Sequence, residues 1–277
     1  MIHTYELYAI RYATNGRRQP HENFMYPAPP DLHDGPMPMD FFVWLAVGER
    51  RTILIDSGAG ADTCQARGHD FLRCPTEGLA QLNVDPAAIQ DVITTHLHWD
   101  HAGNFEKFPN ARFHLQTREA QHAVGPCICS PFLRRPFDVE QVCSFVRTLY
   151  KGRVAFHEGE AEIAPGITVH HVGGHTQGLQ IVRVMTRRGW VVVASDAMHY
   201  YANDATGTPF PVLVNVPEYF NGLSLCYRLA DSADHVVAGH DPAVMAIYPA
   251  VSPQTESIAL RLDVMPKNNK RTARMSG

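Results

Sequence analysis

The segment His96-Leu97-His98-Trp99-Asp100-His101 places three histidines and an aspartate within six positions, just after the β-prone run Val92-Ile93-Thr94. Side chains alternate along an extended chain, so His96 and His98 point the same way. Asp100 and His101 then fall on the following turn and can face a second ion. Neutral imidazoles and carboxylates suit zinc and other first-row divalent ions, and a catalytic site keeps positions open for water and substrate. Gly103 permits a close backbone approach after the cluster. A lone histidine is more often an ordinary core or surface residue; four candidate ligands in one loop are a different case.

Three further β runs deliver a metal-competent side chain at their ends. Residues 167–172 lead into Gly173-Gly174-His175, residues 191–194 into Ser195-Asp196, and residues 236–238 into Gly239-His240. Strands of one sheet end side by side, so residues far apart in sequence can meet at one rim. Upstream, 5–12, 41–47 and 51–56 read as strands of a meander, with Gly48-Glu49-Arg50 as a turn. Between the first two lies a proline-rich stretch, 16–38, expected to be a substrate-covering loop. A helix is expected over 76–83, and Asp85-Pro86 reads as an N-cap with proline at the first helical position. Further β runs fall at 112–115 and 181–185. The expectation is a single domain over 1–277, with a helical insertion at 118–150 and a flexible tail at 266–277.

Composition excludes more than it identifies. A formal net charge of -4 provides no basic face for nucleic acid. No apolar run approaches the roughly 18 residues of a membrane span. The N-terminal residues lack the pattern of a secretion signal, so a cytoplasmic location is expected. Six cysteines are scattered in the manner of free thiols, and Cys127 and Cys129 stand too close for a usual zinc pair.

The stretch Thr95 to Asn104, with Asp56-Ser57-Gly58 before it and Gly174-His175-Thr176, Ser195-Asp196-Ala197 and Gly239-His240-Asp241 after it, resembles the metallo-β-lactamase superfamily. The resemblance runs from about residue 40 to 242. It implies an α/β (α+β) fold, the αββα sandwich of two mixed β-sheets flanked by helices. It also implies two divalent metal ions, zinc first, with manganese, iron or cobalt accepted by the same ligands. One ion would take His96, His98 and His175, the other Asp100, His101 and His240, with Asp196 bridging and Asp56 in a structural role behind them. The implied chemistry is attack of a metal-bridging hydroxide on a carbonyl carbon, with Asp100 relaying a proton to the leaving group.

Among branches, the commonest zinc β-lactamases carry arginine where His101 stands and cysteine where Asp196 stands, and flavodiiron proteins carry glutamate in place of His98. Glyoxalase II and the tRNA-processing nucleases share the ligand pattern, but the first needs a basic C-terminal glutathione domain and the second a basic RNA-binding arm; 37 residues follow His240. The stronger similarity is to N-acyl homoserine lactone hydrolases and pyridoxolactonase, which share the ligand order and a proline-rich N-terminal loop. One departure stands out: such lactonases usually carry a tyrosine three residues after the bridging aspartate, where this chain has His199. Histidine can also donate a hydrogen bond to a developing oxyanion. The expected reaction is therefore opening of a small cyclic ester, with a lactam or cyclic carbamate of an aromatic or heterocyclic compound as the alternative. A glyoxalase II-like thioester hydrolase and a non-catalytic metal-binding module are the further readings. Tyr26, Phe42, His199 and Tyr201 are the expected substrate contacts. The resemblance is compatible with a homodimer built through the N-terminal loop region.

Overall fold

The computed structural model describes residues 3–25 and 35–267, so Tyr26 and most of the expected tail lie outside the described residues. The N-terminal part holds β1 (Glu6–Asn15), β2 (Met39–Val47), β3 (Thr52–Ile55), α1 (Ala61–Ala66), β4 (Asp70–Phe71) and α2 (Pro75–Ala80). The middle holds β5 (Asp91–Ile93), β6 (Arg112–Gln116), α3 (Thr117–Val124), α4 (Pro131–Arg134), α5 (Val139–Tyr150) and β7 (Val154–His157). Next come β8 (Glu160–Ala164), β9 (Ile167–His171), β10 (Gln180–Thr186), β11 (Gly189–Val193), α6 (Tyr201–Thr206) and α7 (Val216–Leu229). Last are β12 (Val236–Val237), α8 (Ala243–Ile247) and β13 (Ala259–Arg261).

The strands form two mixed sheets. One is eight-stranded in the order β13-β1-β2-β3-β5-β6-β7, with β4 paired to β1; the other is five-stranded in the order β12-β11-β10-β9-β8. Strand sequences such as Phe41-Phe42-Val43-Trp44-Leu45 are apolar at every position because both faces are covered. Phe42, Trp44 and Ala46 join Val182, Val184, Val191 and Val193 in a layer between the sheets. Phe41, Val43 and Leu45 point the other way, into a layer with Cys64 of α1, Leu79 of α2 and Phe145 of α5. A third layer packs Ile181 and Val192 against Tyr219, Leu223 and Cys226 of α7. Helix, sheet, sheet and helix thus stack as the αββα sandwich, and each fully buried Val, Leu or Phe contributes about 1.5–3 kcal/mol.

Several local readings shift. The helix expected at 76–83 ends at Ala80, and the chain turns through Asn83 with φ 58. Asp85 does cap Ala87 N, but the element it starts is one 3-10 turn, Pro86–Ala88. The 118–150 stretch holds three helices, α3 to α5. The 14-residue α7, whose N-cap Asn215 accepts from Glu218 N at 3.1 Å, was not anticipated.

Candidate metal centre

The two sheets bring their strand ends to one rim. β3 and β5 run parallel, as do β11 and β12, so the segments after them emerge on the same side. After β3 and β11 the chain turns through non-glycine residues in the left-handed region, Asp56 at φ 60 and Ser195 at φ 45. Such a conformation costs of order 1–3 kcal/mol and persists only where surrounding bonds fix it. Here Thr95 does so: its N and Oγ1 donate to the two oxygens of Asp56 at 2.7 and 2.8 Å, and its Oγ1 lies 2.9 Å from Ser195 Oγ. Gly103 N donates to Gly58 O at 2.8 Å, and a Cβ at 103 would stand 2.6 Å from that oxygen, so only glycine fits.

His96, His98, Asp100, His101, His175, Asp196 and His240 all converge at this rim and are buried. His175 Nε2 lies 2.8 Å from His98 Nδ1, 3.2 Å from His96 Nε2 and 3.1 Å from Asp196 Oδ2. His101 Nε2 and His240 Nε2 each lie 3.1 Å from Asp196 Oδ1, and 3.4 and 3.6 Å from Asp100 Oδ2. The two oxygens of Asp196 therefore serve two separate groups of ligand atoms.

The outer nitrogens decide what the inner ones carry. His175 Nδ1 donates to Val212 O at 2.6 Å, His240 Nδ1 to Asp40 O at 2.9 Å, and His101 Nδ1 to Asp56 Oδ2 at 2.8 Å. Thr95 Oγ1 gives its proton to Asp56 and accepts from His96 Nδ1 at 3.1 Å. Neutral imidazoles fixed this way present bare Nε2 lone pairs inward, facing one another and the carboxylates. His101 Nε2 is buried without a hydrogen-bond partner. Acceptor facing acceptor is repulsive unless cations lie between, so the donor set fits two divalent ions.

Protons are the other remedy. Burial alone would pull His101 down, but Asp100, Asp196 and Asp56 outweigh it and hold its pKa well above the usual histidine range. His240 is raised in the same way, burial being outweighed chiefly by Asp196. Burial pushes His96 and His98 well below that range, with neighbouring imidazoles adding to the effect. Burial would raise Asp196, yet His101, His240 and His199 hold it well below the carboxylate range.

One residue of the site escaped the sequence reading. Glu119 on α3 is fully buried; its Oε1 accepts from Leu97 N at 2.9 Å, and its Oε2 from Thr176 Oγ1 at 2.5 Å and Gly178 N at 3.0 Å. It ties the His96 loop to the His175 loop. A Cβ on Gly178 would stand 2.1 Å from Glu119 N, so glycine is required for this approach. The only signal in the sequence is a glutamate in the first turn of a helix, which is common at such positions for reasons of the helix dipole. Glu119→Ala leaves three buried donors without acceptors, at about 1–3 kcal/mol each. It is expected to destabilise the protein by about 3 kcal/mol or more in chemical denaturation. It should also weaken zinc retention roughly 10- to 100-fold in competition with a chelating dye. Unchanged zinc retention in Glu119→Gln would refute the tie.

A cavity of about 100 Å³ opens in front of the cluster, lined in part by Met39, Phe41, His69, Trp99, Pro136 and His199. Phe42 and Tyr201, expected at the substrate wall, do not line it. Phe42 faces the interlayer core because adjacent strand residues point to opposite faces, and Phe41 takes its place at the cavity. Tyr201 begins α6, where its hydroxyl accepts from Ala238 N at 3.3 Å. His199 does line the cavity, stacked on Phe210 with ring centroids 3.5 Å apart. Burial pulls its pKa down to about 3, so it is neutral and donates Nε2–H to Asp196 Oδ2 at 2.7 Å, while Nδ1 is buried without a partner.

A family model described as the metallo-beta-lactamase superfamily matches residues 41–240. The chain belongs to that superfamily. Within the superfamily it resembles the lactonase-like branch. It is 29% identical over 136 residues to an N-acyl homoserine lactonase of Bacillus sp, a match covering 48% of each chain. It is 27% identical over 197 residues to N-acyl homoserine lactonase AiiB of Rhizobium rhizogenes, covering 65% of this chain and 71% of that one. The match spans about half the length of the Bacillus relatives. A crystal structure of a quorum-quenching N-acyl homoserine lactone lactonase superposes with a TM-score of 0.70 at 20% identity, covering 88% of this chain and 94% of that one. AidC, a dizinc quorum-quenching lactonase in complex with a product, superposes at 0.63 and 13% identity, covering 87% and 92%. These superpositions establish the shared fold.

Proposed function

We propose that the chain is a two-metal hydrolase that opens a small cyclic ester. The observation that carries this reading is the division of Asp196, with Oδ2 facing His175 and Oδ1 facing both His101 and His240. His96, His98 and His175 would hold one ion and Asp100, His101 and His240 the other, with Asp196 shared. Bound divalent ions, zinc first by this donor set, supply Lewis acidity at the carbonyl and a water acidic enough to ionise near neutral pH.

The chain's own residues do the rest. Val212 O, Asp40 O and Asp56 fix the imidazoles of His175, His240 and His101 with Nε2 turned inward, so the protons an ion displaces are those the carboxylates hold on His101 and His240. Asp100 borders the cavity, and its side chain is 11% exposed against 4% for Asp196. It is the carboxylate that can pass a proton to the leaving oxygen as the ester C–O bond breaks. We assign to His199 the orienting of Asp196, through the bond at 2.7 Å, in place of the oxyanion contact expected from the sequence. Phe41, Trp99 and Pro136 keep the approach to the rim apolar.

The test is metal content per chain by elemental analysis, paired with a pH-drop screen of lactones, lactams and thioesters before and after chelation. The expected result is two ions per chain and lactone opening that a chelator stops. One ion or none, without turnover, would overturn the proposal. Turnover confined to lactams or thioesters would move the substrate and keep the site.

A further inference from the structure

Beside the metal-facing residues, the cavity wall carries a shelf of flat rings, with Phe41 packed against His240 at 5.2 Å. His69 stacks on Trp99 at 5.0 Å with planes 3° apart, and Phe41 packs against His69 at 4.9 Å and Trp99 at 5.4 Å. The cavity, about 100 Å³, is smaller than the apolar cavity of about 150 Å³ that accommodates benzene, so a ring bound here is small and keeps its substituent at the mouth. One cationic side chain, Arg18, joins this lining among the described residues.

Arg18 is held in place by neutral groups. Its Nε donates to Asn23 Oδ1 and its Nη2 to Glu22 O at 2.8 Å. Asn23 is itself fully buried, donating through Nδ2 to Met37 O at 3.1 Å, while its carbonyl accepts from Asn203 Nδ2 at 3.2 Å. Arg11, Arg17, Arg51, Arg187 and Arg261 each pair with a carboxylate, whereas Arg18 has none within ion-pair distance among the described residues. Its Nη1 makes no hydrogen bond to a described residue, so three of the five guanidinium N–H donors, two of them on Nη1, have no acceptor among the described residues. An arginine side chain carries about 2 kcal/mol of rotamer entropy, so one tethered through Nε and Nη2 is already ordered for a ligand. Guanidinium recognises carboxylate in preference to a neutral carbonyl, because charge-assisted bonds are about twice as strong.

We propose that Arg18 selects substrates bearing an anionic substituent, so that the ring opened at the rim is a small, flat lactone carrying a carboxylate. This rests on the reading of the site as a cyclic-ester hydrolase. Water adds across the ester C–O bond, the hydroxyl going to the carbonyl carbon and the proton to the released oxygen. The product is a hydroxy acid with two carboxylates.

The experiment compares the zinc-loaded protein with Arg18→Met and, as a control on the exposed surface, Arg17→Met. Two readouts are taken: kcat/KM on phthalide against its ring-carboxylated isomers, and benzoate affinity by calorimetry. In the wild type the best carboxylated isomer is expected to exceed phthalide by roughly tenfold or more, mostly through KM. Arg18→Met is expected to abolish that ratio, leave phthalide turnover within about twofold, and weaken benzoate about tenfold. Arg17→Met should behave as wild type. If Arg18 serves only to pin the turn at Pro20–Glu22, its loss will lower both substrates alike and spare benzoate, which overturns the proposal. A wild type that opens phthalide as well as its carboxylated isomers overturns it too, while the hydrolase reading stands. If no lactone is opened, the hydrolase reading fails, and the benzoate comparison still decides whether Arg18 receives anions.

Discussion

Asp196→Asn is expected to reduce metal content from two ions per chain to one or none and to lower kcat on the order of a thousandfold. Asparagine presents one oxygen and one NH2 where aspartate presents two oxygens. Either the pair His101 and His240, or the pair His96 and His175, then faces a donor that cannot ligate. Loss of a hydrogen bond to a ligand costs 10- to 100-fold in metal affinity or activity, and loss of a shared ligand must cost more. Asp196 is also the residue towards which His101, His175, His199 and His240 all point within 3.1 Å, so no other carboxylate can replace it without rebuilding the rim. Elemental analysis of the variant beside its kinetics provides the check. Two retained ions and full turnover would remove the bridging role.

The second large effect is on stability. Stripping the ions with a strong chelator is expected to lower the melting temperature by at least about 10 °C. An ion present at a thousand times its dissociation constant adds about 4 kcal/mol, and each kcal/mol moves a chain of roughly this size by about 2–4 °C. The stripped protein should also acquire a pH dependence of definite sign. The folded pKa values of His101 and His240 are raised, so their contribution is complete below the ordinary histidine value of about 6.5 and is lost as pH rises through the raised values. Asp100 and Asp196 are held low, so theirs is present above about 3.9 and is lost only as pH falls through the depressed values. The stripped protein should therefore weaken towards alkaline pH while the loaded one holds, because ions have replaced the protons. Metal uptake should release protons for the same reason and tighten as pH rises. Thermal denaturation across pH, with and without chelator, measures this, and coincident curves would remove the metal from the account of stability.

The sequence discloses the centre because its ligands stand where strands end, and strand ends are marked by β-branched runs and by Gly173, Gly174 and Gly239. Asp56 was legible for the same reason. Glu119 was hidden, since what it does depends on Leu97, Thr176 and Gly178 arriving beside it from elsewhere in the chain. The choice between Phe41 and Phe42 was hidden differently: in a strand buried on both faces the apolar pattern has no alternation, and only the packing of the second sheet says which ring turns inward. The helix α7 went unnoticed because it opens with Asn215 and Pro217 directly after loop-like residues, and its apolar positions read as neither period clearly. His199 lines the cavity three residues after Asp196, and the sequence could not tell that its N–H would be engaged by that carboxylate.

The rim belongs to neither sheet alone. His96 to His101 descend from the eight-stranded sheet, while His175, Asp196 and His240 descend from the five-stranded one, and Gln180 N to Thr95 O at 3.0 Å and Asp40 N to His240 O at 3.0 Å stitch the two together. Ions held there, as proposed, would fasten the halves of the sandwich like a clasp. Loading the site is therefore expected to slow the breathing of the hydrophobic layer between them.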